Sequence, residues 1–314
     1  MPAVLDLRTR AASPADVGSA LSACRHGRSD PTTRLRSTGR GAASRGEFVR
    51  AAITPRGPAT VHLAWRSGDV VDVLGAWGPG ADLLVERVPQ LAGADDAGAA
   101  ELEQAEHPVV AAAAAAHRHL RIGRTGDPYA DLLPTILAQR ITAGEAVRQW
   151  AALCRLLGTP APGPFDGLLL PPAPDVMATT PTWRLHRLGI ERKRAAALVE
   201  VARHAARLHG WSALGPDEAA SRLRLLRGVG VWTIGNVLGT AWGDPDAVAV
   251  GDYHHKNTVS WALAREPRGT DERMLQLLEP YRGQRGRVVR LLGLHCGHAP
   301  ARGPRQRILP MRNW

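Results

Sequence analysis

Leu225-Leu226-Arg227-Gly228-Val229-Gly230-Val231-Trp232-Thr233 decides how this chain is read, together with Val250-Gly251-Asp252-Tyr253 a short way downstream. Ahead of it, Gly215-Pro216-Asp217-Glu218 predicts a helix start, with proline early and acids facing the positive end of the helix dipole. Ala219, Leu223 and Leu226 fall on one side of that helix. Gly228-Val229-Gly230 ends it, and a second helix follows at once, with Ile234, Val237, Leu238 and Ala241 along one stripe. Two readings of the hairpin fit. In one, the glycines only permit a tight turn between packed helices. In the other, they let the main chain approach a phosphate, which backbone N–H groups at the start of the second helix then meet.

Asp252 also has two readings. It closes the apolar run Ala247-Val248-Ala249-Val250 and precedes a predicted helix, which suits an N-cap. A carboxylate beside a hairpin that grips DNA also suits cleavage of a base from its sugar. The sugar becomes cationic as the base leaves, and a nearby anion stabilises that charge or activates water. The two roles are compatible, because a cap fixes the carboxylate's orientation.

Composition bounds the partner. The 314 residues carry a formal net charge of +11, which favours a polyanion, although a bias toward arginine codons fits equally well. Lys193 and Lys256 are the only lysines. From Pro280 to Trp314 there is no acid, while eight arginines run from Arg282 to Arg312, either as a phosphate-binding edge or as a solvated basic tail. The apolar run Val109–Ala116 is far short of the roughly 20 residues that span a bilayer, so no membrane partner is expected. Cys24, Cys154 and Cys296 are widely spaced and form no paired metal motif, and a reducing cytoplasm suits them. A monomer is expected.

The chain divides into an α+β arrangement. Residues 1–46 are polar and rich in Arg, Ser, Gly and Ala, with much of the stretch expected to be mobile and Val4-Leu5-Asp6-Leu7 as an edge strand. Residues 47–122 read as a small α/β domain with an antiparallel sheet, from strand-like runs at 48–53, 59–65 and 70–77 and helices at about 79–89 and 98–120. Residues 123–298 read as a helical core, and 299–314 as a basic tail. Asp127-Pro128 caps one helix, with Tyr129, Leu132, Leu133, Ile136 and Leu137 on one stripe. The turn Gln139-Arg140-Ile141 leads into a capping-box pattern, Thr142 to Glu145.

The hairpin and Asp252 together resemble the helix-hairpin-helix DNA glycosylase superfamily, with its Gly/Pro-rich hairpin and catalytic aspartate. Within it the likeness is closest to bacterial 3-methyladenine DNA glycosylase II. Ile136-Leu137-Ala138-Gln139-Arg140-Ile141-Thr142 is similar to that family's Leu-Gly-Gln segment, and Trp77-Gly78-Pro79-Gly80-Ala81 supports the likeness in the amino-terminal unit. The resemblance covers roughly residues 47–295. It implies a mainly helical glycosylase core with an N-terminal sheet domain, acting on double-stranded DNA that contains damaged bases, in a cytoplasmic, nucleoid-associated setting.

The resemblance also implies roles residue by residue. Asp252 is the catalytic carboxylate. Leu226, Gly228, Val229, Gly230 and Thr233 belong to the DNA-gripping hairpin, with Gln139, Arg140, Ile141 and Lys256 as further DNA contacts. Enzymes of this type that also nick the strand place a lysine immediately before the threonine. Trp232 stands there instead, which implies base removal without strand cleavage. Trp232 is expected to line the base pocket, where an indole suits a cationic alkylated purine, or else to pack the second helix. Tyr253 and Tyr281 are further pocket candidates, Tyr281 being the nearest aromatic to a late helix that offers only Arg, Gly, Val and Leu. The residue filling the gap left by a flipped base is expected in the Gln139–Ile141 turn, where Arg140 departs from the usual apolar tip. His254 and His255 fit phosphate contacts or surface positions better than general acids. No cofactor is expected, although the resemblance allows a monovalent cation on the hairpin carbonyls. The expected substrates are alkylated purines of the 3-methyladenine or 7-methylguanine type. The alternatives are deaminated or oxidised bases, an RNA substrate, and a catalytically silent DNA-binding protein.

Overall fold

The computed structural model describes residues 3–6, 16–67, 70–297 and 299–300. Its N-terminal part is one antiparallel sheet in the order β1-β5-β4-β3-β2, with β1 Ala3–Asp6, β2 Thr33–Thr38, β3 Arg45–Thr54, β4 Gly57–Ser67 and β5 Val70–Trp77. The β3–β4 hairpin pairs Thr54 with Gly57 across a Pro55-Arg56 turn, where the Thr54 hydroxyl donates to the Gly57 carbonyl and accepts the Arg56 N–H. One face of the sheet carries Phe48, Val61, Leu63, Trp65 and Val71, all buried against Val17, Leu21, Leu84, Val88 and Leu91. Its other face carries Val49 and Ala51 against Leu168 and Leu170, from the proline-rich loop that follows the helix Ala143–Leu157.

The domain boundaries differ from the sequence expectation at both ends. Residues 16–46, expected outside the sheet, supply the helix Val17–Ser22 and the edge strand β2. Strand β2 reads Thr-Arg-Leu-Arg-Ser-Thr and shows most of its side chains to solvent. An edge strand needs few apolar residues, and its arginines discourage pairing with another chain, so it lacks the alternation that reveals an inner strand. Strand β1 occupies the other edge, pairing with β5, and Leu7 lies outside the described residues. At the far end, residues 98–120 leave the sheet. Leu102, Val110, Ala113, Ala114 and Leu120 are buried with Val259, Met274, Leu278, Val288 and Leu292 of the C-terminal helices. The helix Pro108–Ala116 is nearly all alanine and valine, so no polar stripe marks its outer face in the sequence.

The helical core therefore has two lobes. The first is built from the helices Pro128–Leu137, Ala143–Leu157, Arg192–Arg203, Pro216–Leu223 and Val231–Val237, around Leu132, Ile136, Trp150, Leu198, Leu223 and Val237. The second combines Pro108–Ala116 with Tyr253–Ala264, Asp271–Leu278 and Arg285–Cys296. The chain crosses from the first lobe to the second through residues 243–252, so Asp252 enters the seam between them. Among the described residues, no helix is long and apolar enough to cross a membrane. The basic residues Arg302, Arg305, Arg307 and Arg312 lie outside the described residues.

One buried ion pair fastens the last helix to the strand-to-lobe connection. Both guanidinium nitrogens Nη1 and Nη2 of Arg287 donate to the Asp96 carboxylate, and Asp96 also accepts the Ile122 N–H at 3.0 Å. The two side chains are 1% and 8% exposed, so the surviving charge would be stranded if its partner were removed. Asp96→Asn is expected to destabilise the protein by about 3 kcal/mol, measured as a lowered urea midpoint with an unchanged slope.

Candidate active site

The hairpin is built on a close approach. Gly228 has φ +88°, and a Cβ there would stand 2.6 Å from the Ala197 methyl, so only glycine turns the chain this tightly against the helix Arg192–Arg203. Leu226 and Val229 point into the core, which leaves only their main chain to meet a ligand. Thr233 is buried as well, and its hydroxyl accepts the Gln139 amide at 2.9 Å. The same amide donates to the Gly228 carbonyl at 2.9 Å. Gln139 thus ties the 139–141 turn to the hairpin and spends its amide hydrogens within the protein. Beside it Arg140 is exposed at φ +59°, a left-handed conformation that throws its side chain off the turn.

A second close approach positions the carboxylate. On the helix Val231–Val237, a Cβ on Gly235 would stand 2.2 Å from the Val248 carbonyl oxygen. Without a side chain there, this helix lies directly on the segment that leads to Asp252. Trp232, one turn earlier on the same helix, then reaches over, and its indole N–H donates to Asp252 Oδ2 at 3.1 Å. The other carboxylate oxygen, Oδ1, accepts the His254 and His255 backbone N–H groups at 2.8 and 3.1 Å and so caps the helix Tyr253–Ala264. Further out, Asp271 accepts the Gly251 N–H at 3.0 Å and pairs with Lys256 at 3.2 Å. The crossover itself is braced by Asp246, which accepts the Gly283 and Arg285 N–H groups and the Arg285 guanidinium.

These contacts set the charge. Burial would raise the Asp252 pKa, but it is outweighed by the His255 ring, the Trp232 N–H and the two backbone donors, and the carboxyl is held below its ordinary value. His255 moves the same way for the opposite reason, since burial disfavours its cation more strongly than Asp252 favours it. Its Nδ1 is buried without a hydrogen-bond partner. At neutral pH the site therefore holds an anion beside a neutral imidazole.

Two cavities meet at Asp252. The first, about 890 Å³, is lined by the hairpin glycines, the 139–141 turn and the arginines Arg140, Arg224 and Arg227. Trp232 and Tyr253 belong to this cavity, Tyr253 being 67% exposed. The second, about 540 Å³, lies between the lobes, with Asn236, Thr240, His255 and Arg290 among mostly small or apolar neighbours. Asp252 and His254 line both.

Tyr281 reaches neither cavity. It lines a third hollow with Glu106 and Leu263, because the short turn Glu279–Tyr281 sits at the opposite end of the last helix from Gly293 and Leu294. Lys256 lines neither cavity and is engaged by Asp271. Two apolar side chains at the first cavity fell outside the sequence reading: Leu225 and Val231, 78% and 56% exposed. Their signal was a phase mismatch, since Leu225 sits beside Leu226 yet off the stripe of Ala219, Leu223 and Leu226. Among the described residues, no group of three His, Cys, Asp or Glu side chains is placed to hold a metal. Two hairpin carbonyls are committed to N–H donors, that of Gly228 to Gln139 and that of Leu226 to Val229, so this hairpin does not present them as a bare cradle for a cation.

No family model matches the chain, and no curated protein sequence does. Solved structures do match in shape. The 3-methyladenine DNA glycosylase from Archaeoglobus fulgidus superposes with a TM-score of 0.74 at 16% identity, over 92% of this chain and 96% of that one. This chain has the helix-hairpin-helix DNA glycosylase fold. The 8-oxoguanine glycosylase/lyase of Clostridium acetobutylicum, in complex with double-stranded DNA, gives 0.61 at 15% identity over 84% and 87%. The glycosylase fold accounts for the sheet unit as well as for both helical lobes, since the first match spans nearly the whole chain.

Two outcomes follow from the geometry. Trp232→Phe removes one hydrogen bond to the ionised form of Asp252, so its carboxyl should titrate at higher pH, read by carbon NMR of the side chain. Gly228→Ala is expected to cost about 1–3 kcal/mol through backbone strain and the Ala197 clash, read by denaturant unfolding.

Proposed function

We propose that this protein is a monofunctional DNA glycosylase that hydrolyses the N-glycosidic bond of alkylated purines, as a step of base excision repair. The observation that carries the reading is the Asp252 carboxylate, kept ionised by three N–H donors at the junction of a basic cavity and an inter-lobe cavity. The basic cavity, with its glycine hairpin and three arginines, suits the phosphate backbone. The inter-lobe cavity, mostly apolar, suits a base turned out of the duplex. A sugar joining the two then lies against Asp252.

In that arrangement the bond from sugar C1′ to the base nitrogen breaks with both electrons going to the base. Asp252 stabilises the cationic sugar, and water adds its oxygen to C1′ while releasing a proton to solvent. A ring-alkylated purine already carries positive charge, so it leaves as a neutral base without an added proton. This suits a site whose aspartate is an anion and whose His255 is neutral.

Strand nicking through a Schiff base needs a free amine at the sugar. Trp232 occupies the position where the resemblance would put that lysine, and Lys256 is paired with Asp271. Both support release of the base with an intact strand. A DNA substrate would place the protein with the chromosome, in the cytoplasm.

The test is incubation with methylated duplex DNA, with released bases measured directly. Asp252→Asn is expected to lower release by about a hundredfold or more while retaining DNA binding, and borohydride should trap no covalent complex with the wild type. Unchanged release by Asp252→Asn would refute the catalytic assignment. Release of 8-oxoguanine or hypoxanthine in place of methylpurines would move the substrate to oxidised or deaminated bases. Binding without release from any lesion would make the protein a DNA-binding module.

A further inference from the structure

The inter-lobe cavity has two bare places in its wall. A Cβ built on Gly239 meets nothing nearer than the Ala247 methyl at 4.0 Å, and one built on Gly293 meets no atom within 4 Å. Both glycines line the cavity, Gly239 from the π-helical turn Leu238–Trp242 and Gly293 from the helix Arg285–Cys296. The other two glycines of this wall differ. On Gly235 and Gly286 a Cβ would strike the Val248 and Ala247 carbonyl oxygens at 2.2 Å, so packing requires glycine there. Neither packing nor a left-handed backbone requires it at 239 or 293. Glycine inside a helical segment is disfavoured relative to alanine, so both positions run against local preference.

Resting on the reading of this chain as an alkylpurine glycosylase, we propose that Gly239 and Gly293 set the size limit of its base chamber, and that the chamber admits purines whose ring substituents are larger than methyl. The cavity of about 540 Å³ falls within the range of roughly 300–1,000 Å³ that houses drug-sized ligands, so it has room for a base and a side arm. Lengthening the alkyl group leaves the reaction unchanged. The purine is cationic with methyl or butyl alike, and Asp252 faces the same sugar. Discrimination between them falls to the chamber wall, where side chains at 239 and 293 would occupy the space the arm needs.

The experiment uses the full-length protein and duplex DNA alkylated with methyl, ethyl or n-butyl groups, with released N3-alkyladenine and N7-alkylguanine counted by mass spectrometry. Wild type is expected to release butylpurines within about tenfold of methylpurines, by the one-methylene scale of pocket discrimination. In Gly293→Leu and Gly239→Ala the butyl-to-methyl ratio should drop by about tenfold or more. Should the leucine variant fail to fold, Gly293→Ala, a better helix former, reads the same position with a smaller drop. Methyl release with butyl release more than a hundredfold slower in wild type would overturn the size assignment and leave the glycosylase reading standing. An unchanged ratio in every variant would overturn it too. No release of any alkylpurine would defeat the glycosylase reading and this proposal with it.

Discussion

The Trp232–Asp252 hydrogen bond joins the two halves of the functional region. Trp232 belongs to the second hairpin helix, and Asp252 caps the first helix of the other lobe. The indole N–H therefore fixes a carboxylate of one lobe to a helix of the other, and the remaining contacts depend on that distance. Gly235 brings the helix close enough, and Asp271 and Asp246 hold the connecting segment from behind. Each of these contacts is local. Together they place an anion at an inter-lobe seam, where an isolated buried charge would be costly.

The same set of donors separates two electrostatic tasks. Asp252 is surrounded by N–H groups and keeps its charge, whereas His255, one turn along, is buried and gives its charge up. This combination favours stabilising a developing cation over donating a proton. It matches chemistry in which the leaving group arrives already activated, and it gives alkylated purines an advantage over neutral lesions that need protonation. The arginines of the first cavity stand at its hairpin side, so the positive and negative parts of the site face different parts of a nucleotide.

Much of this was legible before any coordinates. Helix spacing revealed the stripes Leu132–Leu137 and Ile234–Ala241, and the Gly-x-Gly and Asp252 signals stood at the two ends of one site. What misled the reading had physical causes. Strand β2 is an exposed edge with a single apolar residue, so it looked like part of a polar tail. The helix Pro108–Ala116 has no polar face to say which core it joins, and it packs on the C-terminal lobe. Tyr281 was a candidate through proximity along the chain to the last helix, but it lies at the end of that helix away from the inter-lobe cavity. Gln139 looked like a DNA contact and instead fastens the turn to the hairpin.

The sequence alone determined the local devices: a helix stopped by Gly228, a helix begun at Asp252, and an indole where an amine would otherwise stand. These depend on backbone preference and on residue type, which are properties of a few consecutive residues. Only the tertiary structure decided which devices touch. The carboxylate's bond to Trp232, the commitment of Lys256 to Asp271, and the bare walls at Gly239 and Gly293 join residues from separate elements. Such contacts follow from how two lobes pack across a crossover, and no window along the chain contains that information.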